Sequence, residues 1–148
     1  MTAALCDDGC AVRAMTEKDD LPMFKIAIVD DEVLYRTLLA QTLEELEEEG
    51  PLAVEEASDG ADGLALMRAW KPDLVFLDVI MPAMDGYQVC REIRADPELA
   101  ATTVVLLTAK GERVDRHYGL DAGADHFITK PFDPDKVLAL VRTLWKGA

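Results

Sequence analysis

Several polar side chains that could share one chemistry each stand directly after a short apolar run. They are Asp30, Asp31 and Glu32 after FKIAIV, Asp78 after DLVFL, Thr108 after TVVLL, and Lys130 after HFIT. Taken singly, each has an ordinary structural explanation, such as capping a helix, closing a turn or extending a lysine to solvent. Their shared placement after apolar runs is what suggests a common site.

Carboxylates at the ends of neighbouring strands would repel one another and raise their own pKa values unless a cation joined them. Mg²⁺ suits such a place because it takes oxygen ligands, keeps several waters and pairs with one or two carboxylates and with phosphate oxygens. In open α/β sheets, ligands bind beyond the carboxyl ends of the strands. The pattern therefore predicts a Mg²⁺ site that serves phosphoryl chemistry.

The apolar runs themselves predict five β-strands, each followed by a helical pattern. They are FKIAIV, LAVEEA, DLVFL, TVVLL and HFIT. Strands that alternate with helices favour a parallel sheet built of βα units. The first, third and fourth runs are continuously apolar, which is typical of strands covered on both faces. We therefore predict an α/β fold with one five-stranded parallel sheet and helices on both of its sides.

Two of the helical segments show which residues they should bury. The first carries an apolar stripe, made of Leu34, Leu38, Leu39, Leu43 and Leu46. The last has Asp133 as its predicted cap and Pro134 in its first turn. Its predicted buried residues are Val137, Leu140, Val141 and Leu144.

The composition narrows the possible functions. The 148 residues include 15 Lys and Arg against 29 Asp and Glu, a net charge of -14, which argues against direct binding to nucleic acid or to an anionic membrane surface. No stretch approaches the roughly 20 apolar residues that span a bilayer, so we expect a cytoplasmic protein. The cysteines Cys6, Cys10 and Cys90 lack the paired spacing of a disulfide framework or a zinc site, and reduced thiols are expected.

Four motifs follow one another at the predicted strand ends: IVDDE at 28–32, LDVIMPAMDG at 77–86, LLTAK at 106–110 and ITKPF at 128–132. With them, residues 24–146 resemble the receiver domain of two-component response regulators. The resemblance implies a flavodoxin-like receiver fold, a doubly wound (βα)5 sheet with strand order 2-1-3-4-5. We expect the receiver domain at 24–148. Residues 1–23 show no sustained period and are expected to form a mobile or loosely docked extension.

The resemblance also implies which residues bind the metal. Asp31, Asp78 and the backbone carbonyl of Ile80 would bind Mg²⁺ directly, and Asp30 would act largely through water. A bulky apolar side chain at Ile80 is further expected to impede the water that attacks a phosphorylated aspartate, so the phosphorylated state should not be especially short-lived.

By the same resemblance, Asp78 is the phosphoacceptor and would carry the phosphoryl group as an acyl phosphate. Lys130 would pair with Asp78 or with its phosphoryl oxygens, and Thr108 would donate a hydrogen bond to one of them. The chain would thus assist its own phosphorylation and dephosphorylation without being a conventional turnover enzyme.

A switch is implied as well. Thr108 would move toward the phosphoryl group, and Phe127 on the fifth strand would rotate into the space it leaves. Because phenylalanine has no hydroxyl, its inward state gains no hydrogen bond, so the coupling is expected to be looser than with tyrosine. Pro131 would follow Lys130 through a cis bond that aims the lysine into the site. The output surface would comprise the fourth helix, fifth strand and fifth helix, roughly residues 113–145.

The implied partners are a histidine kinase or histidine phosphotransfer protein as donor and a downstream protein bound through the output surface. The sequence leaves a homodimer open. One alternative is a receiver-shaped adaptor that never uses phosphate, although it should have lost key positions, and none is lost here. Another is a receiver module of a longer regulator. A phosphatase with an aspartate nucleophile would carry a second acid at the position of Ile80, and flavin or dinucleotide binding would require a glycine-rich loop after the first strand.

Overall fold

The structure is a computed structural model that describes residues 23–109 and 121–147. Its strands are β1 Phe24–Val29, β2 Leu52–Ala57, β3 Leu74–Asp78, β4 Thr103–Ala109 and β5 His126–Lys130. Its α-helices are α1 Val33–Glu44, α2 Gly60–Trp70, α3 Gly86–Ala95 and α4 Pro134–Gly147, and a short 3-10 helix spans Glu47–Glu49. The predicted extension, apart from Met23, and most of the predicted fourth helix lie outside the described residues.

The five strands form one parallel sheet in the order β2-β1-β3-β4-β5, as predicted. β3 lies at the centre between β1 and β4, and all five of its residues are buried. The continuously apolar strands are therefore the interior ones, which need cover on both faces. This arrangement places Asp78, the last residue of β3, in the middle of the sheet's carboxyl edge.

Alternate strand residues point to opposite faces of the sheet and build two separate cores. On one face, α1 and α4 cover Ile26, Ile28, Phe76, Val105 and Leu107. On the other, α2 and α3 cover Ala27, Val29, Val75, Leu77 and Leu106. Burial of each large apolar side chain stabilises the fold by about 1.5–3 kcal/mol. The sheet is thus fixed from both sides, and the ends of its strands are held in register.

The predicted stripe on α1 is correct only in part. Leu39, Leu43 and Leu46 are buried, whereas Leu34 and Leu38 are 62% and 40% exposed. At about 100° per residue, Leu38 lies about 100° and Leu34 about 140° around the helix from Leu39, so neither faces the sheet. The prediction joined two different faces of α1 into one stripe.

The C-terminal helix α4 begins as predicted. Asp133 Oδ1 accepts a hydrogen bond from the backbone N–H of Asp135 at 2.9 Å, which satisfies a donor of the first turn. Val137 and Val141 are buried, Leu140 and Leu144 are half-buried, and Leu138, which was not predicted, is buried.

Two further predictions can be compared with the described residues. Cys90 is a free, buried cysteine on α3, between Val89 and Ile93 of the same core. Among the described helices, none is long and apolar enough to cross a membrane.

Candidate functional site

The carboxyl edge of the sheet collects most of the buried polar side chains. Of the six buried polar or charged residues in the described part of the chain, four lie here: Asp30, Asp78, Thr108 and Lys130. They stand just after β1, at the end of β3, near the end of β4 and at the end of β5. Burying charged groups costs free energy unless they are paired, so this cost is concentrated at the carboxyl edge of the sheet.

Four carboxylates gather at this edge. Asp30, Asp31, Glu32 and Asp78 each place one oxygen so that all four oxygens lie within 4.8 Å of one another. Asp30 and Asp78 are buried, whereas Asp31 and Glu32 are exposed. The structure therefore brings together the three aspartates predicted as metal ligands, with Glu32 beside them.

The ammonium group of Lys130 reaches this acidic cluster. Its Nζ atom lies 2.8 Å from Asp30 Oδ2, 3.0 Å from Glu32 Oε1 and 3.3 Å from Asp78 Oδ1. Burial disfavours the charged lysine, but the close contact with Asp30, the hydrogen bond with Glu32 and the charges of Asp78 and Asp30 outweigh it and raise the pKa of Lys130. The lysine therefore stays an ammonium ion and partly neutralises the cluster.

One positive charge does not balance the cluster. Burial, and then the negative charge of Asp30, raise the pKa of Asp78 to about 7, although Lys130 opposes the shift. A carboxyl group with this pKa is partly protonated at neutral pH. The donor set, made of carboxylate oxygens only, with two members open to solvent, fits a hard divalent cation such as Mg²⁺.

The backbone around Asp30 is fixed by its neighbours. Its N–H donates to the carbonyl of Ala57 at the end of β2 at 3.1 Å, and its Oδ1 accepts the N–H of Glu32 at 2.9 Å. The guanidinium of Arg36 donates to the Asp30 carbonyl at 2.6 Å and lies 3.4 Å from Glu56. The turn between β1 and α1 is thereby anchored to the edge strand, so the acidic residues are held close to Asp78.

The loop after Asp78 folds tightly back onto β3. The Val79 N–H donates to the Leu107 carbonyl at 3.0 Å, and the Gly86 N–H donates to the Val79 carbonyl at 2.8 Å. A Cβ atom at position 86 would lie 2.4 Å from the Asp78 carbonyl oxygen, so only glycine allows this approach. The side chain of Ile80 in this loop is 61% exposed. Ile80 is thus an exposed apolar residue two positions after Asp78.

The remaining predicted site residues lie on β4, on β5 and just after it. Thr108 is buried and follows Leu107, the register partner of Asp78. Phe127 is half-buried against the core beneath α2 and α3. The Lys130–Pro131 peptide bond is cis. In the predicted output surface, β5 and the predicted fifth helix, which is α4 here, are described. Residues 113–120 lie outside the described residues.

Two contacts of Lys130 were not predicted from the sequence. Glu32 was placed beside Asp30 and Asp31 in the acidic group, but its ion pair with the lysine was not predicted. Tyr35, in the first turn of α1, places its ring centroid 4.3 Å from the ammonium. No pattern in the sequence indicates that pairing, because it depends on how α1 lies beside the end of β5.

Comparison with known proteins agrees with this geometry. Residues 26–142 match the family model described as the response regulator receiver domain. The transcriptional regulatory protein ResD of Bacillus subtilis is 42% identical over 124 residues, which cover 84% of this chain and 49% of ResD. The response regulator PleD of Caulobacter vibrioides is 43% identical over 121 residues, 81% of this chain and 26% of PleD. The chain thus spans about half the length, or less, of these curated relatives.

A solved structure shares the fold. It is the receiver domain of the sensor histidine kinase PA1611 of Pseudomonas aeruginosa, described with a magnesium ion coordinated in its active site cleft. It aligns with a TM-score of 0.73 at 27% identity and covers 86% of this chain and 100% of that one. With the family match across most of the chain, the parallel sheet in the order 2-1-3-4-5 and the acidic edge beside a buried lysine, this chain belongs to the response regulator receiver domain family.

Proposed function

We propose that this chain is a phosphoreceiver in which Asp78 accepts a phosphoryl group from a histidine kinase or a histidine phosphotransfer protein. The observation that carries the proposal is a buried carboxylate at the end of the central strand, 3.3 Å from a lysine ammonium and within a cluster of four carboxylates. A nucleophile held on a strand end is placed rigidly, and in-line phosphoryl transfer depends on such placement.

In the proposed step, an Asp78 carboxylate oxygen attacks phosphorus, the bond from phosphorus to the donor's imidazole nitrogen breaks, and an acyl phosphate forms on Asp78. Lys130 would balance the negative charge that arrives with the phosphoryl group, and Thr108 would donate a hydrogen bond to one of its oxygens. Asp31, Asp78 and the Ile80 carbonyl would hold Mg²⁺, with Asp30 acting through water. When bound, Mg²⁺ would supply positive charge to the phosphoryl oxygens.

Exposed apolar side chains on α1 and in the loop after Asp78 support a protein donor. Among the described residues, the exposed large apolar side chains are Met23, Val33, Leu34, Leu38 and Ile80. Three of these are on α1, which begins directly after Glu32, and one is in the loop after Asp78. Exposed apolar groups concentrated beside a reactive site are typical of a docking surface. We place the phosphodonor over this α1 surface, defined as Val33, Leu34, Leu38 and Ile80.

The response would leave through the output surface, with Thr108 and Phe127 as the switching pair. Its recipient would be a downstream protein or, because ResD-like relatives are about twice as long, another domain of a longer regulator. A second copy of the chain is a further candidate. Because of the net charge of -14, we expect the receiver domain, residues 24–148, to make no direct contact with nucleic acid or with an anionic membrane surface, and we expect it to act in the cytoplasm.

The test is Mg²⁺-dependent labelling with acetyl phosphate, followed by intact mass. The wild type should gain one phosphoryl group, Asp78→Asn should gain none, and Asp62→Asn, an exposed aspartate of α2, should behave as the wild type. Labelling that persists in Asp78→Asn would identify a different acceptor.

Beryllofluoride separates the alternatives, because it imitates an acyl phosphate without needing a donor. A folded wild type that neither accepts a phosphoryl group nor binds beryllofluoride would favour the phosphorylation-independent adaptor. Binding of beryllofluoride without labelling would still support a phosphoreceiver and would show that acetyl phosphate is a poor phosphoryl donor for it.

A further inference from the structure

The Lys130 ammonium has an aromatic neighbour as well as its acidic ones. Its Nζ atom lies 4.3 Å from the centroid of the Tyr35 ring, well inside the roughly 6 Å range of a cation–π contact. Only 5% of the lysine side chain is exposed. The ring therefore contacts a charge that is almost completely withdrawn from water.

Tyr35 is held in place by residues on two elements. The next residue, Arg36, ties the first turn of α1 to the Asp30 carbonyl at 2.6 Å and approaches Glu56 at 3.4 Å. On the other side, the Phe132 ring lies 6.2 Å from the Tyr35 ring at an angle of 52°, an ordinary tilted pairing. Because Phe132 is only two residues after Lys130, the aromatic pair links α1 to the end of β5.

The ring differs from the carboxylates in what it does to the ammonium. Asp30, Glu32 and Asp78 each hold the lysine through a negative charge, and a phosphoryl group on Asp78 would have to compete with Asp30 and Glu32. An aromatic face attracts the ammonium more weakly and without a net charge. It also occupies space that water would otherwise fill, and charge interactions are stronger where water is excluded.

We propose that Tyr35 is a positioning residue that keeps the Lys130 ammonium dehydrated and free to move onto the phosphoryl group of Asp78. The part that concerns phosphoryl binding rests on the proposed function. The contact between the ring and the ammonium does not rest on it, so the two are tested separately.

The first experiment measures beryllofluoride affinity at saturating Mg²⁺ by ¹⁹F NMR. Tyr35→Leu removes the aromatic face and should weaken binding about tenfold, within the range of a desolvated cation–π contact. Tyr35→Phe keeps the face and should remain within about twofold of the wild type. Equal losses in both variants would assign the effect to the hydroxyl, and no loss in Tyr35→Leu would remove any role; either result overturns the proposal.

The second experiment needs no phosphate analogue. A double-mutant cycle combines Tyr35→Leu with Lys130→Met and follows urea unfolding of the metal-free protein. If the ring acts through the ammonium, Tyr35→Leu should lower the folding equilibrium constant several-fold more with Lys130 present than in Lys130→Met. Identical effects in the two backgrounds would show that Tyr35 only packs, and the inference would be wrong.

The two experiments distinguish the possible failures. If the wild type neither accepts a phosphoryl group nor binds beryllofluoride, the proposed function fails, and the unfolding cycle alone decides whether Tyr35 holds Lys130. If Tyr35→Leu does not fold, pentafluorophenylalanine at position 35 replaces it, because that side chain keeps the ring's shape and reverses the charge of its face. The pentafluorophenylalanine variant should bind beryllofluoride more weakly than the wild type and should show no energetic coupling to Lys130 in the unfolding cycle. If it behaves as the wild type does, the proposal is overturned.

Discussion

Glu32 and Lys130 form an ion pair of 3.0 Å, shorter than the 3.3 Å that separates Lys130 from Asp78. The lysine that the proposed chemistry needs is thus shared with a carboxylate that the chemistry does not need. Glu32 is 57% exposed in its side chain, so solvent weakens this pair and the lysine can leave it.

Glu32→Gln should therefore accelerate phosphorylation by acetyl phosphate. The variant removes a competitor for Lys130 and a negative charge that repels the anionic donor, and an exposed charge of this kind is expected to change the rate about threefold at low salt. The rate is measured by intact mass at saturating Mg²⁺. Glu55→Gln, an exposed glutamate of β2, is the matched control. An unchanged or slower rate for Glu32→Gln would mean that Glu32 does not restrain the lysine.

The stability of the metal-free protein should depend on pH through Asp78. The pKa of this group is about 7 in the folded protein against 3.8 for an ordinary aspartate. Between these values the folded state binds more protons than the unfolded state, so the free energy of unfolding falls as the pH rises through this range. Asp78→Asn cannot ionise and should escape that loss.

At pH 8 in EDTA, we expect the free energy of unfolding of Asp78→Asn to exceed that of the wild type by about 2 kcal/mol, which is about half of what the full pKa shift would give. Near pH 4 the two free energies should be equal. Urea unfolding at the two pH values measures this. Saturating Mg²⁺ should reduce the difference at pH 8, since a cation relieves the same repulsion. A difference that is equal at both pH values would exclude titration of Asp78 as its cause.

The segment that leads into β5 depends on Arg94 of α3. Its guanidinium makes four hydrogen bonds of 2.6–2.9 Å, whose acceptors are the carbonyls of Gly123, Ala100 and Thr102 and the carboxylate of Asp125. Arg94→Lys cannot reproduce this planar arrangement. It should lower the free energy of unfolding by about 2–3 kcal/mol, measured in urea. Arg68→Lys, whose ion pairs are on the surface, should change it by no more than about 0.5 kcal/mol.

The α1 surface should matter for a protein donor and not for a small one. Leu34→Ser and Leu38→Ser remove exposed apolar contacts, so we expect phosphotransfer from a phosphorylated histidine kinase that labels the wild type to fall about tenfold. Labelling by acetyl phosphate should stay within about twofold. The control is Met23→Ser, which is equally apolar and exposed but precedes β1, at the opposite edge of the sheet. Equal losses with both donors would place the defect in the acidic cluster instead of in docking.

The strands were predictable nearly to the residue, because an interior parallel strand is marked by continuous apolar sequence. Asp78 was predicted at the end of the third strand, and it is the last residue of β3. Strand ends in a parallel sheet share an edge, so the placement of Asp30, Asp78 and Lys130 at one edge followed from the predicted parallel sheet. The pairing of Lys130 with Asp78 was implied by the family resemblance.

What the sequence did not predict depends on the orientation of helices. The exposure of Leu34 and Leu38 arises from the rotation of α1 about its own axis, which a run of leucines does not specify. The contact between Tyr35 and Lys130 requires the position of α1 relative to the end of β5. Leu138 of α4 was missed because most of its neighbours in the sequence are also apolar, so the pattern does not mark which of them face the sheet.

The two tryptophans occupy the rim of the sheet opposite the acidic cluster. Trp145 stacks on Phe24 with ring centroids 5.4 Å apart, and the Lys25 ammonium lies 5.7 Å from the Trp70 ring. Phe24 and Lys25 begin the six-residue strand β1, whose far end leads to Asp30, and such a strand is about 20 Å long. An analogue bound at Asp78 therefore cannot quench either indole by contact. If adding the analogue changes the tryptophan emission, the structural change must extend through the domain to the opposite rim. If the emission does not change, the response is confined to the half of the molecule around the acidic cluster.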